Sequence, residues 1–398
     1  MLKCNNCLYV GYENINEDTG DLITTNGGIN TYPNLLIKLM NKRGLSRDRF
    51  KLRNIKNIPE NMSYIYPLTI FECNGSPHKE GKELRIPENV LKDVRNKRCV
   101  ILIDFTSEGL ENGYLKELET FMIKLCDKYD INHTSMFYMD GNHQVNRNIS
   151  FECIPFTVWD TCNMGLSDEY IDSLIVNIKN KVEKFFKISC FNRRAKYSRF
   201  YLAYNLFDIC KNNDVIFTLS KSFIKYVDYH DSYRSVDEIK YNEFIESMPW
   251  EYDTNNLHNH KEGINKSIHN NAYIHINTES LFEGSIFFSE KTFKPIIMLQ
   301  PFITVSSPGS LSTLKSFGYE TFPELFDESY DEIENGQNRL AHIVKEIRKV
   351  YSYSNQELSN KVYEVLPKLV HNAKLHKSIT SNSEILYTLL KKEIYKDN

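Results

Sequence analysis

The sequence predicts an α/β fold with two Rossmann-like domains, and three observations support this prediction. Short apolar runs alternate with stretches of helical periodicity, as in βαβ units built around a parallel sheet. The chain has 398 residues, which is too long for one ordinary core and suits two domains of about 150–200 residues each. Hydrophobic residues make up 41% of the chain and charged residues 25%, the proportions of a globular protein.

The first half of the chain contains an alternation of strand and helix signals. Residues 100–105 form a nearly continuous apolar run, as expected of a buried parallel strand. Residues 114–129 carry apolar side chains on one helical face, and residues 135–139 resemble the next strand. A second amphipathic helix is predicted at residues 168–185. This order favours an N-terminal domain that covers residues 1–185.

The second half repeats the alternation. Short apolar runs predict strands at residues 186–191, 214–219, 272–277 and 302–305. Periodic apolar positions predict helices at residues 198–210, 290–299, 309–317, 338–351 and 355–375. Residues 285–288 are interpreted as a strand that runs straight into a helix, and Pro367 is expected to kink the last of these helices. These elements define a second domain over residues 186–350, followed by C-terminal helices over residues 351–398.

The composition narrows the class of protein. The net charge of -3 lacks the basic excess typical of proteins that grip duplex DNA over a wide surface. No segment approaches the ~18 consecutive apolar residues of a membrane span, and the first residues lack the apolar region of a signal peptide. The sequence therefore predicts a cytoplasmic protein without a membrane span.

The cysteines are expected to be reduced and buried. Their number is nine, which is odd, and Cys99, Cys126, Cys190 and Cys210 stand beside apolar residues. Cys4-x-x-Cys7 lacks the second ligand pair of a structural zinc site. The sequence also lacks an Asp-x-Asp flanked by apolar strand residues, so no metal ligands and no tightly bound cofactor are predicted.

Two adjacent arginines follow the first strand of the second domain. Arg193 and Arg194 come directly after residues 186–191, and Arg199 lies near the start of the next helix. In open α/β sheets ligands bind beyond the carboxyl ends of the strands, and guanidinium groups bind phosphate bidentately. These arginines therefore indicate a phosphate site, with a solvated basic turn as the alternative.

A helix start in the same domain has the residues of an anion site. Ser289 is a natural N-cap, and the N–H groups and positive dipole end of the following helix suit a diphosphate. Lys291 could add a charge and Thr292 a hydroxyl, while Glu290 could accept hydrogen bonds from a ribose diol. The alternative is a capped, charge-decorated helix start.

A second helix start follows the last strand of this domain. Residues 306–310, Ser-Ser-Pro-Gly-Ser, lead from the strand at 302–305 into the helix at 309–317. This turn could line the same cleft as the first helix start, or it could be a purely structural βα connection.

Together, several motifs resemble a known family. These are Phe-Asn-Arg-Arg at 191–194, Asn-Thr-Glu-Ser at 277–280, Ser-Glu-Lys-Thr-Phe-Lys-Pro at 289–295, Gly-Tyr-Glu-Thr-Phe at 318–322 and Asp-Glu-Ser-Tyr-Asp at 327–331. The combination resembles a family of phage- and virus-encoded glycosyltransferases, and its Glu-Lys step resembles the donor motif of the α1,3-fucosyltransferases. The resemblance covers residues 186–350 and implies the GT-B arrangement, in which two Rossmann-like domains face each other across a cleft. The C-terminal helices often cross back to the first domain in that fold.

The resemblance implies roles for individual residues. In the fucosyltransferase pattern the motif glutamate, here Glu290, contacts the ribose, and the following Lys291 contacts the diphosphate. An upstream arginine, Arg193 or Arg194, contacts phosphate. Glu279 falls where that family has another acidic residue near the donor, on the same motif as Asn277. This chain departs from the fucosyltransferases after the Glu-Lys step, which leaves the sugar and the base open.

Inverting transfer needs a base that deprotonates the acceptor hydroxyl. Glu108 is the candidate, because it follows the buried strand at 100–105 on a loop at the carboxyl end. Asp140 and His143, which follow the next strand, are the alternatives. A retaining enzyme needs no such protein base.

The sequence thus predicts a glycosyltransferase that moves a sugar from a nucleotide diphosphate donor to a hydroxyl group. The acceptor is a glycan, a protein or a hydroxymethylated base in phage DNA, and a phage or viral origin would place the protein in the host cytoplasm. The alternative is a noncatalytic glycan-binding or virion-associated protein that retains the fold.

Overall fold

A computed structural model describes residues 7–12, 49–69, 86–105, 112–143, 149–155, 166–192, 196–219, 237–248, 250, 264, 266–381 and 385–395. The chain divides into two compact units. The first unit combines Met1–Thr161 with Ile379–Asn398, and the second unit is Cys162–Ser378.

Each unit is built on a parallel β-sheet, which confirms the predicted α/β class. The strands of the first unit are β1 (Leu8–Tyr12), β2 (Phe50–Asn54), β3 (Tyr64–Thr69), β4 (Cys99–Phe105), β5 (Met136–Asp140) and β6 (Glu152–Pro155). The strands of the second unit are β7 (Phe186–Phe191), β8 (Val215–Thr218), β9 (Ala272–Thr278) and β10 (Phe302–Val305). The order is β2-β1-β3-β4-β5-β6 in the first sheet and β10-β9-β7-β8 in the second.

The described helices before β9 are α1 (Glu88–Arg95), α2 (Asn112–Tyr129), α3 (Asp168–Lys179), α4 (Tyr197–Asn205), α5 (Phe207–Cys210), α6 (Glu238–Glu246) and α7 (Lys266–Asn270). Those after β9 are α8 (Glu290–Ile297), α9 (Ser310–Ser316), α10 (Gly336–Ser352), α11 (Asn355–Glu364), α12 (Leu366–Ser381) and α13 (Ile385–Tyr395). Short 3-10 turns occupy Ile55–Asn57, His133–Ser135 and Glu328–Glu332. Among the helices that the structure describes, none is long and apolar enough to cross a membrane.

The first sheet is buried on both faces. Alternate residues of β4 point in opposite directions, so Leu102 packs in one apolar cluster and Ile103 in the other. The cluster around Ile103 includes residues of α1 and α2, such as Met122. Burial on both faces explains why the strand signal at 100–105 is a continuous apolar run rather than an alternating one.

The other face of the first sheet is covered by the C-terminal helix α13. Leu386 and Leu390, one helical turn apart, pack in the same cluster as Leu102. The end of the chain therefore returns to the first unit, as the resemblance to GT-B enzymes predicts. The C-terminal segment predicted at residues 351–398 is divided between the units. Its residues up to Ser378 lie in the second unit, and those from Ile379 lie in the first.

The division between the units falls earlier in the chain than residue 185. Helix α3 belongs to the second unit, where it packs against α11. Side chains after α3 strengthen this contact, because Lys181 Nζ donates to Asn360 Oδ1 at 2.6 Å and Asn355 donates to Glu183 at 3.0 Å. The predicted boundary follows the strand signal of β7, whereas this helix joins the second unit before that strand begins.

Three local predictions need correction. Residues 285–288 join neither described sheet, and their apolar side chains are instead buried by packing (Ile286 is 6% exposed). The helix predicted at 168–185 ends at Lys179, and Lys181 has a positive φ of 51°. The long helix predicted at 355–375 is divided at Val365, two residues before Pro367, because proline removes a helical hydrogen bond.

The described cysteines agree with the expectation of reduced thiols. Cys99, Cys126 and Cys190 are buried and free, whereas Cys210 is only partly buried. Burial raises the pKa of Cys190 to about 12, so this thiol stays protonated and packs as a small apolar side chain.

Candidate active site

The candidate site lies at the carboxyl end of the second sheet. Strands β7 and β9 are neighbours, but the chain leaves β7 toward β8 on one side and leaves β9 toward β10 on the other. Such a reversal opens a crevice beyond the strand ends, where ligands of open α/β sheets bind. Asn192 and Glu279 are the first residues beyond β7 and β9, so they flank this switch point.

Asn192 fastens three strand ends to one another. Its backbone N–H donates to Thr218 Oγ1 of β8 at 2.8 Å, and its Oδ1 accepts a 2.5 Å hydrogen bond from Thr278 Oγ1 of β9. Its Nδ2 donates to the thiol of Cys190 at 3.2 Å. The backbone that leads into Arg193 and Arg194 is therefore held at the switch point. These two arginines themselves lie outside the described residues.

Glu279 is a buried carboxylate that is fully occupied by the protein. Its Oε1 accepts from the Ser289 N–H at 3.1 Å and from Thr292 Oγ1 at 2.5 Å, and its Oε2 accepts from Ser289 Oγ at 2.6 Å and from the Ser280 N–H at 3.3 Å. The residue is 1% exposed. This geometry suits a group that ties the start of α8 to the end of β9 rather than one that touches a ligand.

Asn277 and Thr292 extend the same network. Asn277 Nδ2 donates to Thr292 Oγ1 at 2.7 Å, and that hydroxyl in turn donates to Glu279. Both residues are buried. The Thr292 hydroxyl therefore positions α8 from within the protein, although the sequence suggested that it faces a ligand.

Glu290 and Lys291, the first two residues of α8, are partly exposed to solvent. Ser289 caps the helix by accepting from the Lys291 N–H at 3.3 Å. Lys291 Nζ donates to Ser289 Oγ at 3.0 Å and lies 3.4 Å from Glu290 Oε1. The side chains of Lys291 and Glu290 are 25% and 14% exposed. A cation and a carboxylate thus stand side by side at a helix N-terminus beside the crevice.

Arg199 and Lys196 fasten the end of β9 from the side of α4. Arg199 is buried, and its Nη2 donates to the carbonyls of Thr278 at 3.1 Å and Glu279 at 3.3 Å. Lys196 is exposed, and its Nζ donates to the Ser280 carbonyl at 2.7 Å. The sequence selected Arg199 but missed Lys196. The available signal was the position of Lys196, two residues after Arg194 and directly before a helix.

The second helix start in this unit has a different partner. Asp331 accepts hydrogen bonds from the backbone N–H groups of Leu311 and Ser312 at 3.0 Å each, so its carboxylate occupies the N-terminus of α9. The backbone N–H of Gly309 also donates to the Asp331 carbonyl at 2.8 Å. Residues 306–310 therefore form a structural turn that the protein itself caps.

The motifs at 318–322 and 327–331 form a scaffold. Glu328 accepts from the Phe322 N–H at 2.6 Å and from Thr321 Oγ1 at 2.7 Å. The Tyr330 hydroxyl accepts from the Thr304 N–H of β10 at 3.2 Å. These residues stabilise the segment that delivers Asp331 to α9, and they account for part of the resemblance without touching the switch point.

The candidate bases lie in the first unit. Asp140 ends β5, is fully buried, and accepts from the Asn142 N–H at 3.0 Å. His143 follows on the same turn and is half-buried. Glu108 lies outside the described residues. The assignment of a base stays a prediction.

One group among the described residues brings a histidine and two carboxylates together. Asp327, His342 and Glu346 have ligand atoms within 4.8 Å of one another. Lys349 Nζ lies 3.1 Å from Glu346 Oε2, and the Asp327 N–H donates to that same oxygen at 2.9 Å. The buried carboxylate of Glu346 therefore already has a cation and an N–H donor within the protein. We interpret the three residues as part of an ion-pair network that anchors α10.

Comparison with known proteins gives low similarities. No protein-family model and no curated protein matches this sequence. A glycosyltransferase from Rickettsia africae is 11% identical with a TM-score of 0.36, over 99% of this chain and 100% of that one. The N-terminal domain of Candida albicans trehalose-6-phosphate phosphatase is 13% identical with a TM-score of 0.38, over 85% and 72%. An α,α-trehalose-phosphate synthase (UDP-forming) from Burkholderia vietnamiensis is 10% identical with a TM-score of 0.35, over 75% and 71%. The function proposed below depends on the switch-point residues, not on these similarities.

Proposed function

We propose that this chain is a glycosyltransferase that binds a nucleotide diphosphate sugar at the carboxyl end of the second sheet. The observation that carries the proposal is the start of α8. Glu279 holds this helix N-terminus at the switch point, and Lys291 and Glu290 stand there with partly exposed side chains. The site therefore offers the positive end of a helix and a cation to phosphate, and a carboxylate to hydroxyl groups.

The diphosphate is the leaving group of sugar transfer, and negative charge develops on it as the glycosidic bond breaks. Fixed positive groups stabilise that charge best when they are in place before the reaction. The N-terminus of α8 supplies a partial positive charge, and Lys291 supplies a full one. Arg193 or Arg194, the residues that follow Asn192 in the sequence, adds a further charge in this proposal.

Glu290 is proposed to orient the donor through its ribose. An ionised carboxylate only accepts hydrogen bonds, and a ribose diol offers two donors at a matching separation. Lys291 Nζ lies 3.4 Å from Glu290 Oε1, so the two side chains form an ion pair at the helix start. In this proposal Lys291 binds the phosphates and Glu290 binds the ribose of the nucleotide.

The acceptor hydroxyl needs a base in an inverting reaction. Glu108 is the proposed base, with Asp140 and His143 as alternatives, and the acceptor is a glycan, a protein or a hydroxymethylated base in DNA. In an inverting reaction, Glu108→Gln should lower kcat about 10²–10⁴-fold while donor binding is unchanged. If Asp140→Asn or His143→Gln has that effect instead, Glu108 is not the base. We also propose that transfer needs no divalent metal, so activity should persist in EDTA.

Calorimetric titration of UDP, GDP, ADP and dTDP into the wild type and Lys291→Ala tests the proposal. At least one diphosphate should bind the wild type and bind Lys291→Ala about tenfold more weakly, since a charge-assisted hydrogen bond is lost. If none binds the wild type, the chain is not a nucleotide-sugar enzyme of this kind. Nucleotide binding without hydrolysis or transfer, together with tight glycan binding, would favour the noncatalytic alternative.

A further inference from the structure

An exposed apolar surface lies at the end of α3 and on the adjacent helix α11. Six large apolar side chains are exposed among the described residues, and four of them belong to this α3 surface: Val176, Val182, Phe185 and Tyr363. Phe185 is 65% exposed, and it follows Val182 by three residues, a span of at most about 11 Å. Single exposed apolar residues are common, whereas a group of them usually marks a place where a partner binds.

Local contacts bring these side chains together. The N–H of Val182 donates to the Asn177 carbonyl at 3.0 Å, and Lys181 between them has a positive φ of 51°. This is the Schellman end of a helix, in which the residue at the place of Val182 packs against the last helical turn, where Val176 lies. Lys181 Nζ also lies 5.3 Å from the centre of the Tyr363 ring. The α3 surface is therefore continuous from α3 to α11.

Two opposite charges flank Val182 and are held in place by neutral groups. Lys181 Nζ donates to Asn360 Oδ1 at 2.6 Å, and Glu183 Oε1 accepts from Asn355 Nδ2 at 3.0 Å. Among the residues that the structure describes, neither charge has an ion-pair partner. The two charges are thus positioned by α11 but not neutralised by it.

This charge pattern fits a second copy of the chain. A twofold axis near Val182 would place Lys181 of one copy opposite Glu183 of the other, and the same pair would form again across the axis. Both charges would then be neutralised, and the apolar side chains would meet between them. A nucleic acid or an anionic membrane attracts a basic excess, which a lysine beside a glutamate does not provide.

We propose that the α3 surface binds the α3 surface of a second copy of this chain. The dimer is isologous, with Val182 near its axis and two ion pairs between Lys181 and Glu183. Burial of the apolar side chains supplies the binding free energy, and the ion pairs fix the alignment. This inference goes beyond the proposed function, because none of these residues belongs to the switch point.

Sedimentation velocity at increasing protein concentration tests the inference. The wild type should change from monomer to dimer between about 1 µM and 1 mM, the affinity range of a small interface. Phe185→Glu should weaken the dimer about 100-fold, because it places an unpaired charge in the apolar contact. Ile239→Glu is the matched control and should change nothing, since Ile239 is 77% exposed but lies on α6. A wild type that stays monomeric over the whole range would overturn the inference.

A charge exchange within one chain tests the alignment of the two copies. Lys181→Glu alone and Glu183→Lys alone should each weaken the dimer at least about tenfold, because like charges then face each other twice. The double variant forms both ion pairs again, so its dimer should be within about threefold of the wild type. A double variant as weak as the single variants would contradict the proposed alignment.

A cross-link tests the position of the axis. Val182→Cys places a thiol there, and residues at a twofold axis meet their own copies. Oxidised glutathione should therefore convert two such thiols into one intermolecular disulfide, read as a covalent dimer on a nonreducing gel. Ile239→Cys should stay unlinked. Equal cross-linking of the two variants would overturn the inference.

Vesicles of phosphatidylcholine and phosphatidylserine test the other occupant of this surface. The wild type should bind them no better than Phe185→Glu does. If the wild type stays monomeric and binds these vesicles more tightly than Phe185→Glu, the α3 surface docks on a membrane and the proposed dimer is wrong.

Discussion

Two helix N-termini of the second unit stand at the same end of the same sheet but have different partners. Helix α9, after β10, is capped by the carboxylate of Asp331, which accepts from the N–H groups of Leu311 and Ser312. Helix α8, after β9, is capped by the neutral hydroxyl of Ser289, and Lys291 lies beside it. At α9 a carboxylate from a distant part of the chain accepts from the helix N–H groups, whereas at α8 a cation and a carboxylate, Lys291 and Glu290, stand side by side.

This difference shows why a helix start alone does not identify a site. Both have the N–H groups and the dipole that attract an anion. At α9 that attraction is already satisfied within the protein. At α8 the nearby carboxylate, Glu279, is occupied by four donors, three of which belong to Ser289 and Thr292 at the helix start. Lys291 stays partly exposed there, and we propose that this end of α8 is the one that binds an external anion.

The largest expected effect follows from removing the carboxylate behind α8. Glu279→Ala should lower the free energy of unfolding by about 3–4 kcal/mol, because the buried N–H and hydroxyl of Ser289 and the hydroxyl of Thr292 lose their acceptor. Donor binding should be lost with it. Denaturant unfolding measures the first effect, and Glu290→Ala is the control that should weaken binding and leave stability nearly unchanged. Equal stability of Glu279→Ala and the wild type would contradict the role given to this residue.

The next effect separates the two helices by function. Lys291→Ala should lower kcat about 10²-fold, as the loss of a group that stabilises the leaving charge does. Lys315→Ala removes an exposed lysine of α9 that pairs with Glu328, and it should leave kcat unchanged. Steady-state kinetics with the donor found by titration measures both. Similar losses in the two variants would show that the effect is a general charge effect.

Removing the carboxylate of Asp331 from the start of α9 should lower stability and leave diphosphate binding nearly unchanged. Asp331→Asn should lower the free energy of unfolding by about 2 kcal/mol, because one of the two N–H groups that Asp331 accepts from is left facing an amide NH₂. Diphosphate affinity should stay within about twofold of the wild type. Urea unfolding and calorimetry check the two parts, and a tenfold loss of affinity would place α9 in the site after all.

The last effect concerns two buried histidines, His269 and His275, whose pKa is lowered by burial and, to a smaller extent, by Lys294 of α8. Burial lowers the pKa of His269 to about 4, and burial lowers that of His275 well below its usual value. The unfolded chain therefore binds more protons than the folded one below about pH 6.5, and stability is lost as the pH falls from there toward 4.

Urea unfolding at pH 7 and pH 5 measures this loss. His269 alone should lower the free energy of unfolding by about 2 kcal/mol between the two pH values, because pH 5 lies about 1.5 units below the unfolded pKa of about 6.5. His269→Gln should reduce that difference, whereas His371→Gln, an exposed control, should not. A difference as large in His269→Gln as in the wild type would contradict the assignment.

Much of the second unit could be predicted from the sequence. Strand β7 occupies residues 186–191, as its bounded apolar run predicts, and Gly318 ends α9 with a φ of 89°. These features depend on local patterns. Residues 285–288 were misread because an apolar run shows that a segment is buried but not whether it pairs in a sheet.

The arrangement of the candidate site could be predicted in part, but the partner of each side chain could not. Ser289, Glu290 and Lys291 come together as expected, because all three lie in one short segment. Whether Glu279 or Thr292 faces a ligand or the protein depends on partners up to thirteen residues away in sequence. Asp331 reaches α9 from twenty residues away, and no local pattern records that contact.

The central claim is that α8, and not α9, binds the diphosphate of the donor. A crystal structure with a bound nucleoside diphosphate tests it most directly. We expect phosphate oxygens about 3 Å from Lys291 Nζ and from backbone N–H groups at the start of α8, with Asp331 still seated on α9. A diphosphate bound at the start of α9, or in the first unit with the start of α8 in contact with solvent only, would contradict the account.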